Sequence, residues 1–356
     1  PSNWLYNAGV IGFLMCLEKD EFLTNQGIDP KYEFQNGTIE LNLNIFTHIN
    51  TEVYFDKNKC VNLKGKNQYY PNFIDAGGTQ KEVFVELIKA LSDKENIEKT
   101  SCDICGNGIK VKVNELLSYK NNPELAKKFF NKVENLNTAV NKLLASSQEE
   151  FPNTFWNLIY SPKICHLCAF LLIHQHIAFT KLPDNSEIFI NSPSFKVMYY
   201  LNRFTKQFVG EKDIRRLLAM SIIEYQVKLQ TTISKWSMMN IEIVIKTGDK
   251  VSFIAIPYET IRILNDYKIA SLIKDIGQTS ILEIVLNREY EKLNEISYHL
   301  IRTRFGDERA KEYVKSYIKF KDENRINYQD LLNKISKLYL KIKSLEERYY
   351  ANKTKK

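Results

Sequence analysis

The sequence predicts an α+β protein. A mixed amino-terminal domain over 1–256, carrying two β-hairpins and a mainly helical insert at about 100–180, is followed by a C-terminal helical bundle over 257–356. Three observations predict it. Polar and apolar residues alternate around Asn36-Gly37, the period-two pattern of hairpin strands, and a second pair of strand-like segments turns at Thr247-Gly248-Asp249-Lys250. Two CxxC pairs, Cys102/Cys105 and Cys165/Cys168, bracket 59 residues and so enclose an insert. Beyond Pro257 the apolar residues recur only at the three- and four-residue spacing of packed helices.

In chain order, Asn3 to Lys19 reads as a helix with Leu5, Ala8, Gly9, Gly12, Phe13, Cys16 and Leu17 at helical spacing, and its small residues predict close packing on a neighbour. Tyr32 to Leu41 is the clearest hairpin, because Asn-Gly suits the positive φ angles of a type I′ turn. The stretch from Asp56 to Gly78 is polar and lysine-rich, and reads as an exposed loop. Gly77-Gly78-Thr79 lacks the GxxxxGK[ST] pattern of a phosphate cradle and reads as the start of a helix over Lys81 to Leu91. Within the insert, Leu125 to Leu144 and Ala169 to Phe179 read as helices. A short strand at Glu187 to Asn191 precedes helices at Ser194 to Gln207 and Glu211 to Trp236. The second is expected to turn Ile214, Leu217, Leu218, Tyr225, Leu229, Ile233 and Trp236 inward. The second hairpin pairs Ile241 to Ile245 with Val251 to Ile256. In the C-terminal region the apolar seams are Leu282, Val285, Leu293, Ile296 and Leu300, then Leu331, Ile335, Leu338, Ile342 and Leu345.

With 356 residues, 44% of them apolar and 26% charged, the chain has the composition of a soluble globular protein with room for two or three cores. Its apolar runs are too short to span a bilayer, and its first residues carry no basic n-region with a cleavage site, so a cytoplasmic location is expected and no membrane partner. The net charge of +8 comes mainly from lysine, but all ten arginines lie at position 203 or later. Arginine's planar fork matches phosphate oxygens, which makes the C-terminal half the better place for ordered backbone contacts.

The doubled CxxC spacing points to a metal. Each knuckle aims two thiolates at one centre, and four sulfurs make a closed tetrahedral zinc site. Cys102, Cys105, Cys165 and Cys168 would leave no position for a reactive water, so the zinc would be structural. The 59 intervening residues exceed the roughly 15 to 20 of a compact zinc ribbon, so the metal would clamp a sizeable insert. Buried inert cysteines or a redox pair are the other readings of a CxxC, and the duplication speaks against both. His166, His174 and His176 are expected to cap or pack rather than to ligate. Six cysteines, four in a metal site, fit a reducing compartment better than a disulfide framework.

Two stretches read as nucleic-acid contacts. At Arg302-Thr303-Arg304-Phe305-Gly306-Asp307 two arginines and an aromatic meet where one helix gives way to the next, and on the last helix Lys334, Lys337, Lys341 and Arg348 share one side. The second pattern is also that of an ordinary solvated face. For an enzyme, the sequence offers no P-loop, no GxSxG elbow, no HExxH pair and no compact Asp/Glu/His cluster.

The opening Asn3-Trp4-Leu5-Tyr6-Asn7-Ala8-Gly9-Val10-Ile11-Gly12-Phe13, the widely separated Cys102/Cys105 and Cys165/Cys168 pairs, and the helical C-terminal end together resemble the CXXC-CXXC family of CRISPR-associated proteins. The resemblance covers most of the chain in order of features. It implies a non-catalytic large subunit of the type I-B Cascade surveillance complex, an antiviral defence assembly. Its partners would be CRISPR RNA, the other Cascade subunits, target double-stranded DNA and a helicase-nuclease recruited once target is bound. Such a subunit reads the protospacer-adjacent motif and helps open the duplex, while guide pairing supplies the remaining specificity. Lys64, Lys66, Asn67 and Gln68, with two cations for phosphate and two amides for base edges, are the expected motif-reading loop on composition alone. A stand-alone nucleotide- or nucleic-acid-processing enzyme with a structural zinc is the alternative.

Overall fold

The computed structural model describes residues 4–19, 23–24, 28, 31–50, 101–102, 104–106, 165–172, 174–208, 210–248, 250–319 and 327–353. The loop expected at 56–78 and the helices expected at 81–91 and 125–144 lie outside these. What is described is α+β, as the sequence predicts: two small antiparallel sheets and a C-terminal region of helices alone. The chain divides into two compact units, Pro1–Thr180 with Pro193–Tyr199, and Lys181–Ser192 with Tyr200–Lys356. The second hairpin falls in the same unit as the helices that follow it.

In the first unit, α1 (Trp4–Leu17) is buried along nearly its whole length. It lies close to α3 (His166–Leu172) and α4 (Gln175–Ala178), and glycine makes that approach possible. A Cβ on Gly9 would stand 2.6 Å from the Leu171 carbonyl oxygen, and one on Gly12 would overlap the His174 carbonyl. The close packing that the small residues predict is therefore backbone against backbone. Phe13 anchors it, stacked on Phe46 of α2 (Ile45–His48) at 5.9 Å and edge-on to Phe170 at 5.3 Å. The first hairpin, β1 (Tyr32–Gln35) and β2 (Thr38–Leu41), pairs Gln35 with Thr38 across Asn36 and Gly37. Those two residues have φ of 47° and 83°, the type I′ combination expected of Asn-Gly.

The single helix expected at 169–179 is two helices. His174 sits at the break, its N–H donating to the Leu171 carbonyl at 3.0 Å in a three-residue turn. Its Nδ1–H donates to the Phe170 carbonyl at 2.9 Å, so the side chain takes a helical acceptor and the α pattern ends there.

In the second unit the core is a four-stranded sheet ordered β3 (Thr180–Lys181), β4 (Glu187–Asn191), β5 (Glu242–Thr247), β6 (Lys250–Ile254). The registers Ile188 with Ile245, Phe189 with Val244 and Ile190 with Ile243 place the buried residues of β4 and β5 side by side. On α5 (Phe195–Thr205), Asn202 accepts from the Ile190 N–H at 2.8 Å and donates to the Ile190 carbonyl at 2.7 Å, bonding the strand as a neighbouring strand would.

The helix expected over 211–236 ends at α6 (Ile214–Leu229), where Gln230 takes the left-handed conformation at φ 50°. Consecutive β-branched threonines follow, and Ser234 opens a new short helix, α7 (Lys235–Met239), by accepting from the Ser237 N–H. Ile233 stays buried because Asn265 bonds both its N–H and its carbonyl, at 2.9 and 3.0 Å. Trp236, expected inside, is 68% exposed. Beyond Pro257 come α8 (Tyr258–Leu264), α9 (Tyr267–Ile276), α10 (Thr279–Leu286), α11 (Glu291–Arg304), α12 (Glu308–Tyr317) and α13 (Tyr328–Lys353). Leu293, Ile296, Leu300, Ile335, Leu338 and Ile342 are buried at the spacing expected, and Ser297 meets Ser336 at 3.1 Å where α11 packs on α13. Among the described residues no helix is long and apolar enough to cross a membrane.

Candidate metal centre

Two local structures bring four sulfurs together. At the first knuckle the Gly106 N–H donates to the Cys102 carbonyl at 2.9 Å, and Gly106 has φ 73°, a conformation that costs glycine nothing. The chain thus turns back on itself and points Cys102 and Cys105 the same way. At the second knuckle Cys165 directly precedes α3 and Cys168 lies in its first turn, three residues on and on the same side. The Cys165 sulfur accepts from the Cys168 N–H at 3.4 Å, as an N-cap oxygen would, and the helix N-terminus favours negative charge there. The knuckles are then joined by the Cys165 N–H, which donates to the Cys102 sulfur at 3.3 Å.

The ligand atoms of all four cysteines lie within 4.8 Å of one another. Cys102 and Cys168 are 3.8 Å apart, and so are Cys105 and Cys165. A disulfide needs sulfurs about 2.05 Å apart, so neither pair is one. By contrast, four thiolates bound tetrahedrally at about 2.3 Å would stand about 3.8 Å from each other, and the observed pairs match that edge. The cluster therefore fits a single ion of this size. It is the group among the described residues with the donors to hold a metal.

Burial and charge agree with that use. Cys102, Cys165 and Cys168 are almost wholly buried and Cys105 is half-buried. Without a cation, the hydrogen bonds among the thiols, that from Cys105 first, hold Cys102 far below the ordinary thiol range. The same sharing, Cys102 first, pushes Cys165 and Cys168 up. In the metal-free cluster ionisation of Cys102 is thus favoured while that of Cys165 and Cys168 is opposed, whereas a dication would hold all four as thiolates. Tyr6, one turn before Gly9 on α1, brings its hydroxyl to 3.8 Å from the Cys168 sulfur, and burial followed by the charge of Cys168 raises its pKa. Sequence reasoning did not single out Tyr6; its signal was its place one turn before the glycines that let α1 approach.

His174 takes the packing role expected of it. His174 is fully buried between Phe13 and Phe170, and burial depresses its pKa to about 3, so it stays neutral.

The nucleic-acid candidates fall in two groups. Lys64, Lys66, Asn67 and Gln68 lie outside the described residues. Arg302 and Arg304 end α11, and Phe305 beside them is 87% exposed. Arg302 is ion-paired with Asp307 and lies 5.6 Å from the Tyr298 ring, while Arg304 donates to Gln329. On α13, Lys334 pairs with Asp330 at 2.6 Å. Lys337, Lys341 and Arg348 are exposed and have no partner among the described residues. The chain matches no family model, and no curated protein or solved structure is found to be similar to it.

Proposed function

We propose that this chain is the large, non-catalytic subunit of a type I-B CRISPR RNA-guided DNA surveillance complex, with structural zinc at Cys102, Cys105, Cys165 and Cys168. The observation that carries the reading is the association of its two most specific sequence features. The opening Trp4 to Phe13 segment packs by its glycines against the helix that bears the second CxxC pair, and the two pairs, 59 residues apart, converge on one ion-sized centre. Four thiolates leave an ion no open position, which supports a structural role for the metal. Zinc suits this donor set because it is redox-inert and accepts tetrahedral sulfur without a preference of its own; iron is the other ion that four thiolates favour. Elemental analysis separates the two, with one zinc per chain expected, and iron would announce itself by visible colour.

In this reading the subunit contacts CRISPR RNA and neighbouring Cascade subunits, grips the duplex beside the protospacer-adjacent motif and helps open it for a recruited helicase-nuclease. Arg302, Arg304, Lys334, Lys337, Lys341 and Arg348 supply phosphate contacts, and the loop of Lys64, Lys66, Asn67 and Gln68 reads the motif. The test is co-expression with the remaining Cascade genes. Copurification with CRISPR RNA and partner subunits is expected, along with DNA binding that depends on the flanking motif. A chain that purifies alone and processes nucleotides or nucleic acid would favour the enzyme alternative. Replacing Asn67 and Gln68 together is expected to blunt motif discrimination; unchanged preference would remove the loop from consideration.

A further inference from the structure

We infer that a pocket between α6, α9 and the start of α10 binds a primary amine carried on a compact apolar body, with Glu224 as the group that takes the ammonium. Every residue lining the pocket belongs to the second unit, so nothing in it depends on the metal reading. The pocket measures about 200 Å³. Phe208, Met220, Ile223, Ile273 and Leu282 supply its apolar lining, and the last three are almost wholly buried. An engineered apolar cavity of about 150 Å³ takes benzene, so this one has room for a single ring or a branched chain with a short linker. Pockets for larger ligands run from about 300 Å³ upward, which leaves a nucleotide without space here.

The polar groups decide the charge of the ligand. Two carboxylates and one ammonium line the pocket, those of Glu211, Glu224 and Lys274. Glu211 is committed: its Oε1 accepts from the Lys212 N–H, the Asp213 N–H and the Arg216 guanidinium, at 2.8, 2.9 and 3.0 Å. Gln278, also in the lining, spends its amide on the N–H and carbonyl of Lys319. Glu224 is held differently. Its partners are lysine heads, Lys274 at 2.8 Å from Oε1 and Lys228 at 3.2 Å from Oε2. The Glu224 side chain is 13% exposed and those of Lys274 and Lys228 are 40% and 45% exposed, so a fixed carboxylate is neutralised by cations reaching in on flexible stems. Burial opposes charge on Glu224, but the two lysines outweigh it and hold its carboxyl below the ordinary range. A ligand ammonium can take the place of Lys274 at Oε1 while its apolar body fills the space that the lysine head leaves empty. An anionic ligand would meet two carboxylates instead, so the pocket selects against it.

The experiment titrates phenethylamine, phenylethanol and phenylpropionate into the full chain and follows binding by ligand-observed NMR. The three share a ring and differ in the charge of the head. The amine is expected to bind roughly tenfold tighter than the alcohol, the worth of a charge-assisted hydrogen bond, and the carboxylate weakest of all. Equal binding of all three, or no binding of the amine, overturns the inference. Glu224→Gln is expected to erase the advantage of the amine over the alcohol. Lys274→Ala removes the competing cation and leaves the burial of Glu224 uncompensated, so it is expected to tighten the amine severalfold and leave the alcohol unchanged. A variant that merely failed to fold would lose both ligands, so tightening cannot be mistaken for damage; amine binding that is unchanged or weaker in a folded Lys274→Ala chain overturns the assignment to Glu224. Met220→Trp fills the pocket and is expected to abolish binding of amine and alcohol together, and amine binding that survives it places the ligand elsewhere. The amine can be a free small molecule or the amino-terminus of a protein chain that begins with an apolar residue. A peptide with a free amino-terminal phenylalanine separates them: binding tighter than phenethylamine, lost on acetylation, assigns a chain terminus, and weaker binding assigns the small amine.

Discussion

The cysteine centre and the cationic face of α13 fix their functional atoms in opposite ways. At the centre every sulfur is placed by something rigid: a glycine turn under Cys102, a helix N-terminus under Cys165 and Cys168, a backbone N–H bridging the knuckles. On α13, Lys337, Lys341 and Arg348 reach into solvent on long flexible stems with no partner among the described residues. A metal needs sulfurs within a few tenths of an ångström, so its site must be built by packing; a phosphate row tolerates mobile charges, so a face of cations can serve with no construction at all. Disturbing the first should therefore unfold the protein, and disturbing the second should leave the fold untouched.

The sharpest contrast is expected from removing the proposed metal. A structural zinc would contribute on the order of 10 kcal/mol, comparable to a whole domain's stability. Strong chelator, or Cys168→Ser, is expected to abolish the cooperative unfolding of the first unit and to make it protease-sensitive. Thermal unfolding with and without chelator measures this; coincident curves would mean that the centre holds nothing together. Next in size is Gly12→Ala, whose Cβ would overlap the His174 carbonyl. Backbone cannot swing aside as a side chain can, so the cost should reach or exceed the roughly 1–3 kcal/mol of ordinary overpacking. As α1 also carries Tyr6 to Cys168, the same substitution is expected to hasten metal loss to a chromogenic chelator. Unchanged melting together with unchanged metal release would show that the approach of α1 is incidental to the centre.

Away from the centre, Asn265→Ala tests how the second unit closes the stretch between α6 and α7. Its amide satisfies the Ile233 N–H and carbonyl and accepts from Gln226, all buried. Leaving such groups unpaired costs about 1–3 kcal/mol each, so chemical denaturation should show a loss of a few kcal/mol. A loss below about 0.5 kcal/mol would mean that water replaces the amide.

Much of this was legible because it rests on short-range rules. Asn36-Gly37 dictates its turn by its own φ preference, and the CxxC spacing puts two sulfurs on one side of a turn whatever lies around it. The buried seam of α11 and α13 follows from helical period alone. What was misjudged needed tertiary information. The helix expected to reach Trp236 stops at Gln230 because Asn265, 32 residues beyond Ile233, offers that backbone other partners. The break at His174 comes from a side chain competing for a helical carbonyl, which periodicity cannot register. Tyr6 was within the segment quoted for the resemblance, but its place one turn before Gly9 does not tell that its hydroxyl meets a sulfur 162 residues away.

The smallest expected effect on stability, and the one that decides whether the cationic face has a use, belongs to Lys337 and Lys341. Both are exposed and without partners among the described residues, so replacing them with alanine in an otherwise intact chain should change folding stability by no more than about 0.5 kcal/mol. Lys334 is a useful neighbour for comparison, since its pair with Asp330 is of the i,i+4 kind worth about 0.3–0.5 kcal/mol, and its removal leaves a carboxylate behind. If the face follows duplex phosphates, each lost contact lowers the slope of log affinity against log salt by about 0.9, so the double variant should flatten the dependence by nearly two while weakening all sequences alike. The measurement is a salt titration of DNA binding by the reconstituted complex, with the Arg302→Ala and Arg304→Ala pair beside it. Because Arg302 and Arg304 already bond Asp307 and Gln329, their phosphate contacts must compete with partners the chain supplies, and their share of the slope should be the smaller. A slope that does not move in the lysine double variant would make α13 an ordinary solvated helix and shift the search for the DNA path to other surfaces.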